Sequence, residues 1–173
     1  MTRITLTNEN TNDPITQEIF AEIKSKAGKV PAAYRAFARL PHILQANWNR
    51  TKNILGKGNL PIGTKEAIAT RVSKENGCDF CLAIHKKNLE KHGFTPEQIT
   101  EIENGDTKDD KLNHILRFVT TATKDPHKLT DADFAKLKEL GYTDEDILEI
   151  LTVMEMYTGY NKIIVALDLK LDD

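Results

Sequence analysis

Apolar side chains along this chain recur at helical intervals, and no segment alternates convincingly between apolar and polar residues as a strand would. Ile15, Ile19 and Ile23 share one face of a helix with a period near 3.6 residues. Residues 112–119 repeat this spacing with leucine, isoleucine and valine. The pattern predicts an all-α protein, and no sheet is expected.

Turn and cap signals predict where the helices begin and end. Asp13 and Pro14 are typical of an N-cap followed by proline in the first turn, and Gly28 is typical of a helix end. Thr95 and Gln98 have the spacing of a capping box. The signals together predict helices that begin near residues 14, 31, 41, 61, 78, 96, 109, 130 and 143, the last one ending near Asp168.

The signals also predict how the chain is organised. Residues 1–12 are polar and are expected to form a flexible N-terminal arm. Residues 13–173 are expected to form a single all-helical domain, since 173 residues suffice for one buried core.

An internal repeat lies within that predicted domain. The segment "NLEKHGFTPEQITEI" aligns with "KLKELGYTDEDILEI" at a constant offset of 48 residues, so that Gly93 matches Gly141. Extended at the same offset, the two copies span about residues 61–106 and 109–154. We expect a duplicated helical unit that packs on itself.

Composition and charge exclude several classes of function. Charged residues make up 29% of the chain, hydrophobic residues 39%, and the net charge is −2, which favours neither a nucleic-acid partner nor an anionic membrane. No apolar run approaches the roughly 20 residues that span a bilayer. The N-terminal residues lack the apolar core of a secretory signal, so a cytoplasmic protein is expected.

The candidate chemistry lies in "NGCDFCLAIH", residues 76–85, which holds the chain's two cysteines. Cys78, Cys81 and His85 follow one another at helical spacing and share a face, with His85 one turn beyond Cys81. A helix N-terminus and a neighbouring imidazole both favour a thiolate, which is the reactive form of cysteine. In the second copy these three positions hold proline, leucine and aspartate, so the scaffold does not require the thiols.

Three interpretations of the motif are open at this point. Redox-active thiols in a helical scaffold are favoured over a static buried cysteine pair and over a metal site. A zinc site needs about four ligands, and this motif supplies three. Glu66, twelve residues before Cys78, is a further candidate, although a glutamate in the first turn of a helix also complements the helix dipole without any other role.

The segment "KEAIATRVSKENGCDFCLAIH" resembles the signature of the alkylhydroperoxidase D and carboxymuconolactone decarboxylase superfamily, E-x11-C-x2-C-x3-H. Glu66, Cys78, Cys81 and His85 occupy its four positions. Two flanking segments, "GKVPAAYRAFARLP" and "ILTVMEMYTGYNKIIVAL", are also similar to the superfamily, so the resemblance covers most of residues 28–167.

The resemblance implies an alkylhydroperoxidase D-like fold, usually assembled as trimers or hexamers, and a peroxidase without metal or organic cofactor. It implies that Cys81 attacks the peroxide, that Cys78 resolves the product as a disulfide, and that His85 and Glu66 relay the proton. The implied partners are a peroxide substrate and a dithiol or protein-thiol reductant. Some members carry histidine where this chain has Phe80, which implies a shorter relay or a more apolar pocket here.

Other functions stay open beside the peroxidase. The pair could serve a non-enzymatic redox sensor or interaction module, and the superfamily also includes decarboxylases that act on small lactone acids. Decarboxylase members generally lack the cysteine pair, so its presence favours the redox branch.

Overall fold

The computed structural model describes residues 2–171 of the chain. Met1, which begins the predicted arm, and Asp172 and Asp173, which end the predicted domain, lie outside the described residues. Helix accounts for 72% of the structure, and residues 2–171 contain no strand. The prediction of an all-α fold is therefore confirmed.

Nine α-helices follow one another in the described part of the chain, with one short 3-10 helix between the seventh and the eighth. Their bounds are α1 Pro14–Ala27, α2 Ala32–Phe37, α3 Pro41–Gly56, α4 Ile62–Glu75, α5 Asp79–Lys91, α6 Pro96–Asn104, α7 Asp110–Lys124, the 3-10 helix Pro126–Lys128, α8 Asp131–Glu139 and α9 Asp144–Ala166. Each helix begins within two residues of the position that the caps and prolines predicted. No helix among these is both long enough and apolar enough to cross a membrane.

The predicted caps are present at the helix ends. Asp13 accepts a hydrogen bond from the Thr16 amide at 2.8 Å, and Gly28 ends α1 in the left-handed region with φ 79°. Thr95 and Gln98 form the predicted capping box before α6. These bonds satisfy amides that would otherwise be unpaired in the first turn, which explains why local sequence sets the boundaries.

The chain divides into two compact units, one running to Asn53 and resuming at Ile164, the other spanning Ile54–Ile163. The predictions of a single domain over residues 13–173 and of a flexible arm over residues 1–12 stay predictions. Within the first unit, the Arg3 amide donates to the Leu167 carbonyl at 3.0 Å, so a backbone hydrogen bond joins the predicted arm to the residue that follows α9.

The first unit packs α1 against α3 around an aromatic side chain. Trp48 of α3 is buried, and its indole N–H donates to Glu22 of α1 at 2.6 Å. Lys52 and Lys26 also bond to this carboxylate. The hydrogen bonds from Trp48, Lys52 and Lys26 lower the pKa of Glu22 to about 2.

The second unit holds the larger core and both copies of the repeat. Its buried apolar side chains come from α4, α7, α8 and α9, with the loop before α4: Leu60, Ile68, Val72, Ile115, Phe118, Val119, Leu137, Ile147, Ile150, Val153 and Met156. Helices α4 and α7 occupy matching places in the repeat and pack against each other. Burial of their facing apolar stripes therefore holds the two copies together.

The two copies agree at the turn between their second and third helices. Gly93 and Gly141 both adopt left-handed backbone, with φ 85° and 94°. The amide that follows each glycine donates back to a leucine carbonyl at 3.1 Å, from Phe94 to Leu89 and from Tyr142 to Leu137. A left-handed glycine therefore ends the second helix of each copy.

Candidate active site

A tight turn between α4 and α5 positions the cysteine motif. Asn76 ends α4, and Gly77 adopts left-handed backbone with φ 64°, a conformation that glycine reaches without strain. The Cys78 amide then donates to the Ser73 carbonyl at 3.0 Å. Cys78 is the N-cap of α5, so the helix starts where Asn76 and Gly77 predicted, with the first cysteine just outside it.

Cys78 and Cys81 form a disulfide whose Cα atoms lie 5.4 Å apart. Both residues are buried. The Sγ of Cys78 also accepts a hydrogen bond from the Cys81 amide at 3.4 Å, in the way an N-cap side chain does. A sulfur in this place faces unpaired amides of the first turn, which favour negative charge there when the disulfide is open.

His85 lies one turn beyond Cys81 on α5 and is buried. Its Nδ1 lies 2.7 Å from Oε2 of Glu66 on α4. Because a carboxylate oxygen accepts, Nδ1 carries the proton of this bond in the neutral ring, and Nε2 is the nitrogen with a free lone pair. The pair is therefore arranged to take up a proton at Nε2.

Glu66 lies in the second turn of α4, and the alternative of a first-turn glutamate that only complements the helix dipole is wrong. Its side chain is 4% exposed. Its Oε2 contacts His85, and its Oε1 accepts a hydrogen bond from Nδ2 of Asn88 at 3.1 Å. Sequence reasoning missed Asn88, although its place three residues after His85 on the same helix was a usable signal.

The ring of Tyr157 on α9 meets the imidazole of His85 edge to face, with centroids 4.4 Å apart and planes at 80°. Helical spacing in the sequence did not indicate this contact. The contact holds the imidazole plane from the side of α9, while Glu66 fixes one nitrogen from α4. The histidine ring is therefore restrained from two helices.

A second buried polar contact joins α4 and α9 near the cysteine turn. Ser73 donates to Oδ1 of Asn161 at 3.3 Å, and both residues are fully buried. Ser73 is also the residue whose carbonyl receives the Cys78 amide. Phe80, in the first turn of α5 beside Cys81, is buried as well.

A buried ion pair supports the helix that carries Glu66. Lys65 is 1% exposed, and its ammonium lies 2.5 Å from Oε1 of Glu149 on α9. It also donates to the carbonyls of Ile54 and Lys57. Oε2 of Glu149 in turn accepts from the Asn59 amide at 2.8 Å. Lysine, glutamate and loop together fix the start of α4.

The structure brings the four predicted site residues together as two contacting pairs, a disulfide and a carboxylate–imidazole hydrogen bond. Within residues 2–171, no group of three or more histidine, cysteine, aspartate or glutamate side chains is arranged to hold a metal ion. A buried carboxylate that orients an imidazole one turn from a cysteine can move a proton to or from that sulfur. Such an arrangement is capable of thiol chemistry.

Residues 41–107 match the model of the carboxymuconolactone decarboxylase family. The matched segment contains Glu66, Cys78, Cys81 and His85. It also contains Asn88, so all the polar contacts of Glu66 described above fall inside it.

Two curated relatives are alkyl hydroperoxide reductases. AhpD of Corynebacterium aurimucosum is 39% identical over 70 residues, which are 40% of this chain and 40% of that protein. An alkyl hydroperoxide reductase of Mycobacterium tuberculosis is 30% identical over 78 residues, 45% of this chain and 23% of that protein. The matches thus span less than half the length of either relative.

Among solved structures, the fold matches an alkylhydroperoxidase AhpD core, a peroxidase-related protein from Ralstonia eutropha JMP134. The two have a TM-score of 0.90 and 24% identity, and the match covers 99% of this chain and 93% of the other. This likeness extends the shared fold over nearly the whole chain. The family match over residues 41–107 and the two reductases add similarity in sequence, so the comparisons support the resemblance to the alkylhydroperoxidase D-like and carboxymuconolactone decarboxylase superfamily.

Proposed function

We propose that the protein is a thiol-dependent peroxidase that reduces organic hydroperoxides or hydrogen peroxide. The observation that carries the proposal is the buried hydrogen bond between Glu66 and His85, one helical turn from a cysteine pair at disulfide distance. Similarity to two alkyl hydroperoxide reductases supports the same reaction class. The redox state described here is the oxidised end of the proposed cycle.

The first step makes the nucleophile. Once the disulfide is reduced, Nε2 of His85 takes the proton of the Cys81 thiol, directly or through a water molecule, while Glu66 stabilises the imidazolium that forms. The resulting Cys81 thiolate is the reactive form of the sulfur.

The second step transfers an oxygen atom. The Cys81 thiolate attacks one peroxide oxygen, the O–O bond breaks, and the leaving alkoxide or hydroxide takes the proton held by His85. The sulfur is oxidised to a sulfenic acid, and the peroxide is reduced to an alcohol or to water.

The third step returns the sulfur to the disulfide. Cys78 condenses with the Cys81 sulfenic acid, forming the S–S bond and releasing one water. Because the two sulfurs belong to one turn of chain, the reaction is intramolecular and competes well with further oxidation of the sulfenic acid. An external dithiol or protein thiol then reduces the disulfide by thiol exchange and is itself oxidised.

A peroxidase assay with matched cysteine variants tests the proposal. Reduced protein, cumene hydroperoxide and excess dithiothreitol are mixed, and the loss of peroxide is followed over time. The proposal predicts turnover by the wild type and loss of turnover in Cys81→Ser. If Cys81→Ser consumed peroxide as fast as the wild type, the assignment of Cys81 would be wrong.

The redox-sensor alternative predicts a different outcome. A sensor would change its oligomeric state reversibly between oxidant and reductant, as measured by light scattering, without peroxide turnover. The proposed peroxidase would open and re-form its disulfide in each round of peroxide reduction, and this does not require a change of oligomeric state. Trimeric or hexameric assembly and a cytoplasmic location stay predictions.

A further inference from the structure

We propose that Asn88 is a positioning residue that fixes the Glu66 carboxylate and thereby sets the proton-accepting strength of His85. This inference rests on the proposed function, since it assigns a role within the same proton relay. It adds a residue that lies outside the four-residue signature.

The hydrogen bonds of Glu66 show why Asn88 matters. His85 and Asn88 lie three residues apart on α5, and each donates to a different oxygen of the Glu66 carboxylate, at 2.7 Å and 3.1 Å. Two donors from one helix define both the place and the plane of the carboxylate. With the His85 bond alone, the carboxylate could rotate about its terminal torsion, which is a broad and weakly restrained one.

The chemistry of the contact requires an amide nitrogen there. A carboxylate oxygen can only accept, so the Asn88 side chain must present its NH₂ group to Oε1 rather than its carbonyl. Asn88 therefore contributes hydrogen bonding without charge. It holds Oε1 of Glu66 in place while the other oxygen, Oε2, contacts His85.

The other groups around this pair have partners of their own. Tyr157 of α9 meets the His85 ring by its edge, and Thr70 of α4 donates to the backbone carbonyl of Glu66. The nearby ammonium groups of Lys65 and Lys86 are paired with Glu149 and Glu103. Asn88 is the side chain that bonds Oε1 of Glu66 among the contacts described here.

Loss of the Asn88 amide should make the Cys81 thiol less reactive. Replacing Asn88 with leucine, which is close in volume, leaves a buried carboxylate oxygen without its donor and weakens the hold of Glu66 on protonated His85. The thiolate of Cys81 then loses part of its stabilising partner. The pKa of the Cys81 thiol rises, and less thiolate is present at neutral pH.

The test measures thiol reactivity rather than peroxide turnover. In a reduced Cys78→Ser background, Cys81 is the remaining thiol, and its rate of alkylation by iodoacetamide is recorded between about pH 5 and pH 10, across the range where cysteine titrates. We expect Asn88→Leu to slow alkylation at pH 7 about tenfold, the equivalent of one charged hydrogen bond, and to move the midpoint to higher pH. Asn53→Leu is the matched control, because that exposed amide donates to the Asn49 carbonyl of its own helix.

A second variant keeps the test decisive if Asn88→Leu folds poorly. In Asn88→Asp the new side chain donates only when protonated, and when ionised it repels Glu66. The alkylation rate of Asn88→Asp relative to the parent should therefore fall as pH rises. Rates and midpoints equal to the parent in both variants would overturn the proposal.

The outcomes separate this proposal from the peroxidase itself. If the wild type consumes no peroxide but Asn88→Leu still slows alkylation, the positioning role stands and the proposed function fails. If the wild type turns over and alkylation in the Asn88 variants is unchanged, the function stands and the positioning role fails.

Discussion

The two copies of the repeat share a backbone plan, and one of them carries the candidate chemistry. In the first copy Cys78 caps the start of α5, and in the second the corresponding stretch is a 3-10 turn, Pro126–Lys128, before α8. At the offset of 48, Glu66 corresponds to His114 and His85 to Asp133, which caps α8 by bonding to Thr130. The candidate chemistry therefore depends on the start of α5 and its contacts, because the second copy has the same order of helices without the site residues.

The largest expected effect concerns the ion pair between Lys65, a lysine that only the first copy carries, and Glu149 of the second copy. Lys65→Met leaves the buried Oε1 of Glu149 without its cation and should lower the free energy of unfolding by about 3 kcal/mol, the lower end for a buried pair because the Glu149 side chain is half-buried. Chemical denaturation followed by circular dichroism measures it. The second copy supplies the control, because Asn113 occupies the matching position and its Oδ1 is buried without a hydrogen-bond partner in the described part of the chain.

Asn113→Leu should change the free energy of unfolding by no more than about 1 kcal/mol, because it removes a polar group that gains nothing from its surroundings. Equal losses in Lys65→Met and Asn113→Leu would contradict the view that this ion pair distinguishes the copies. The double variant Lys65→Met with Glu149→Leu should recover stability relative to Lys65→Met.

The next effect is on activity. Glu66→Gln keeps the shape of the side chain and removes its charge, so the imidazolium of His85 loses its stabilising partner. Peroxide turnover should fall about 100-fold, at the lower end of what general acid–base groups contribute. His114→Gln, the same position in the second copy, should leave turnover unchanged. A comparable loss in both variants would mean that the decline reflects folding.

A smaller loss of stability is expected at a feature that the two copies share, the threonine cap of their third helix. Thr95 and Thr143 each pair with a side chain three residues later at the start of the third helix of their copy. Replacing either threonine with alanine should cost about 1 kcal/mol of stability, as the loss of an N-cap usually does. Urea denaturation of Thr95→Ala and Thr143→Ala should give similar losses. A difference of several kcal/mol would show that the two turns are not equivalent.

The smallest expected effect is a difference between those two caps in how their contribution to stability depends on pH. Hydrogen bonds from the Thr143 backbone and from Asn59 lower the pKa of Asp146 below its ordinary value, whereas the first copy uses the uncharged Gln98. The contribution of Asp146 is thus complete above the ordinary aspartate pKa near 3.9 and is lost as pH falls through its lower, folded-state pKa.

Replacing Asp146 with asparagine should therefore flatten the acid end of the stability profile, while Gln98→Ala should shift the profile without changing its slope. Thermal unfolding between about pH 2 and pH 6, the range over which aspartate titrates, provides the measurement. An unchanged acid slope in Asp146→Asn would contradict the assignment.

Local signals explain why the helix boundaries could be predicted from sequence. Asp13 with Pro14 and Thr95 with Gln98 act within three residues of a helix start, and Gly93 needs no distant partner to adopt left-handed backbone. Such signals depend on neighbouring residues alone. The helix boundaries could therefore be predicted without any knowledge of how the helices pack.

The contacts of the candidate site could be predicted only in part. The spacing of Cys78, Cys81 and His85 along one helix indicated their shared face, but the Glu66–His85 bond joins two helices across nineteen positions. Helical periodicity does not determine which helices meet. For the same reason the edge contact of Tyr157 with His85 was not foreseen.

Lys65 shows most clearly what could not be predicted from the sequence. Nothing in its surroundings along the chain distinguishes it from a solvated lysine, yet it is buried against Glu149, eighty-four positions later. Long-range packing decides the burial of a charged side chain, and it does so only where a partner and acceptor carbonyls converge.

The most direct test of the account asks which sulfur forms the sulfenic acid. Reduced Cys78→Ser and Cys81→Ser proteins are each treated with one equivalent of cumene hydroperoxide in the presence of dimedone, and adducts are located by mass spectrometry. The proposed mechanism predicts a dimedone adduct on Cys81 in Cys78→Ser and no comparable adduct on Cys78 in Cys81→Ser. Adducts that form equally fast in both variants, or in Cys81→Ser alone, would contradict it.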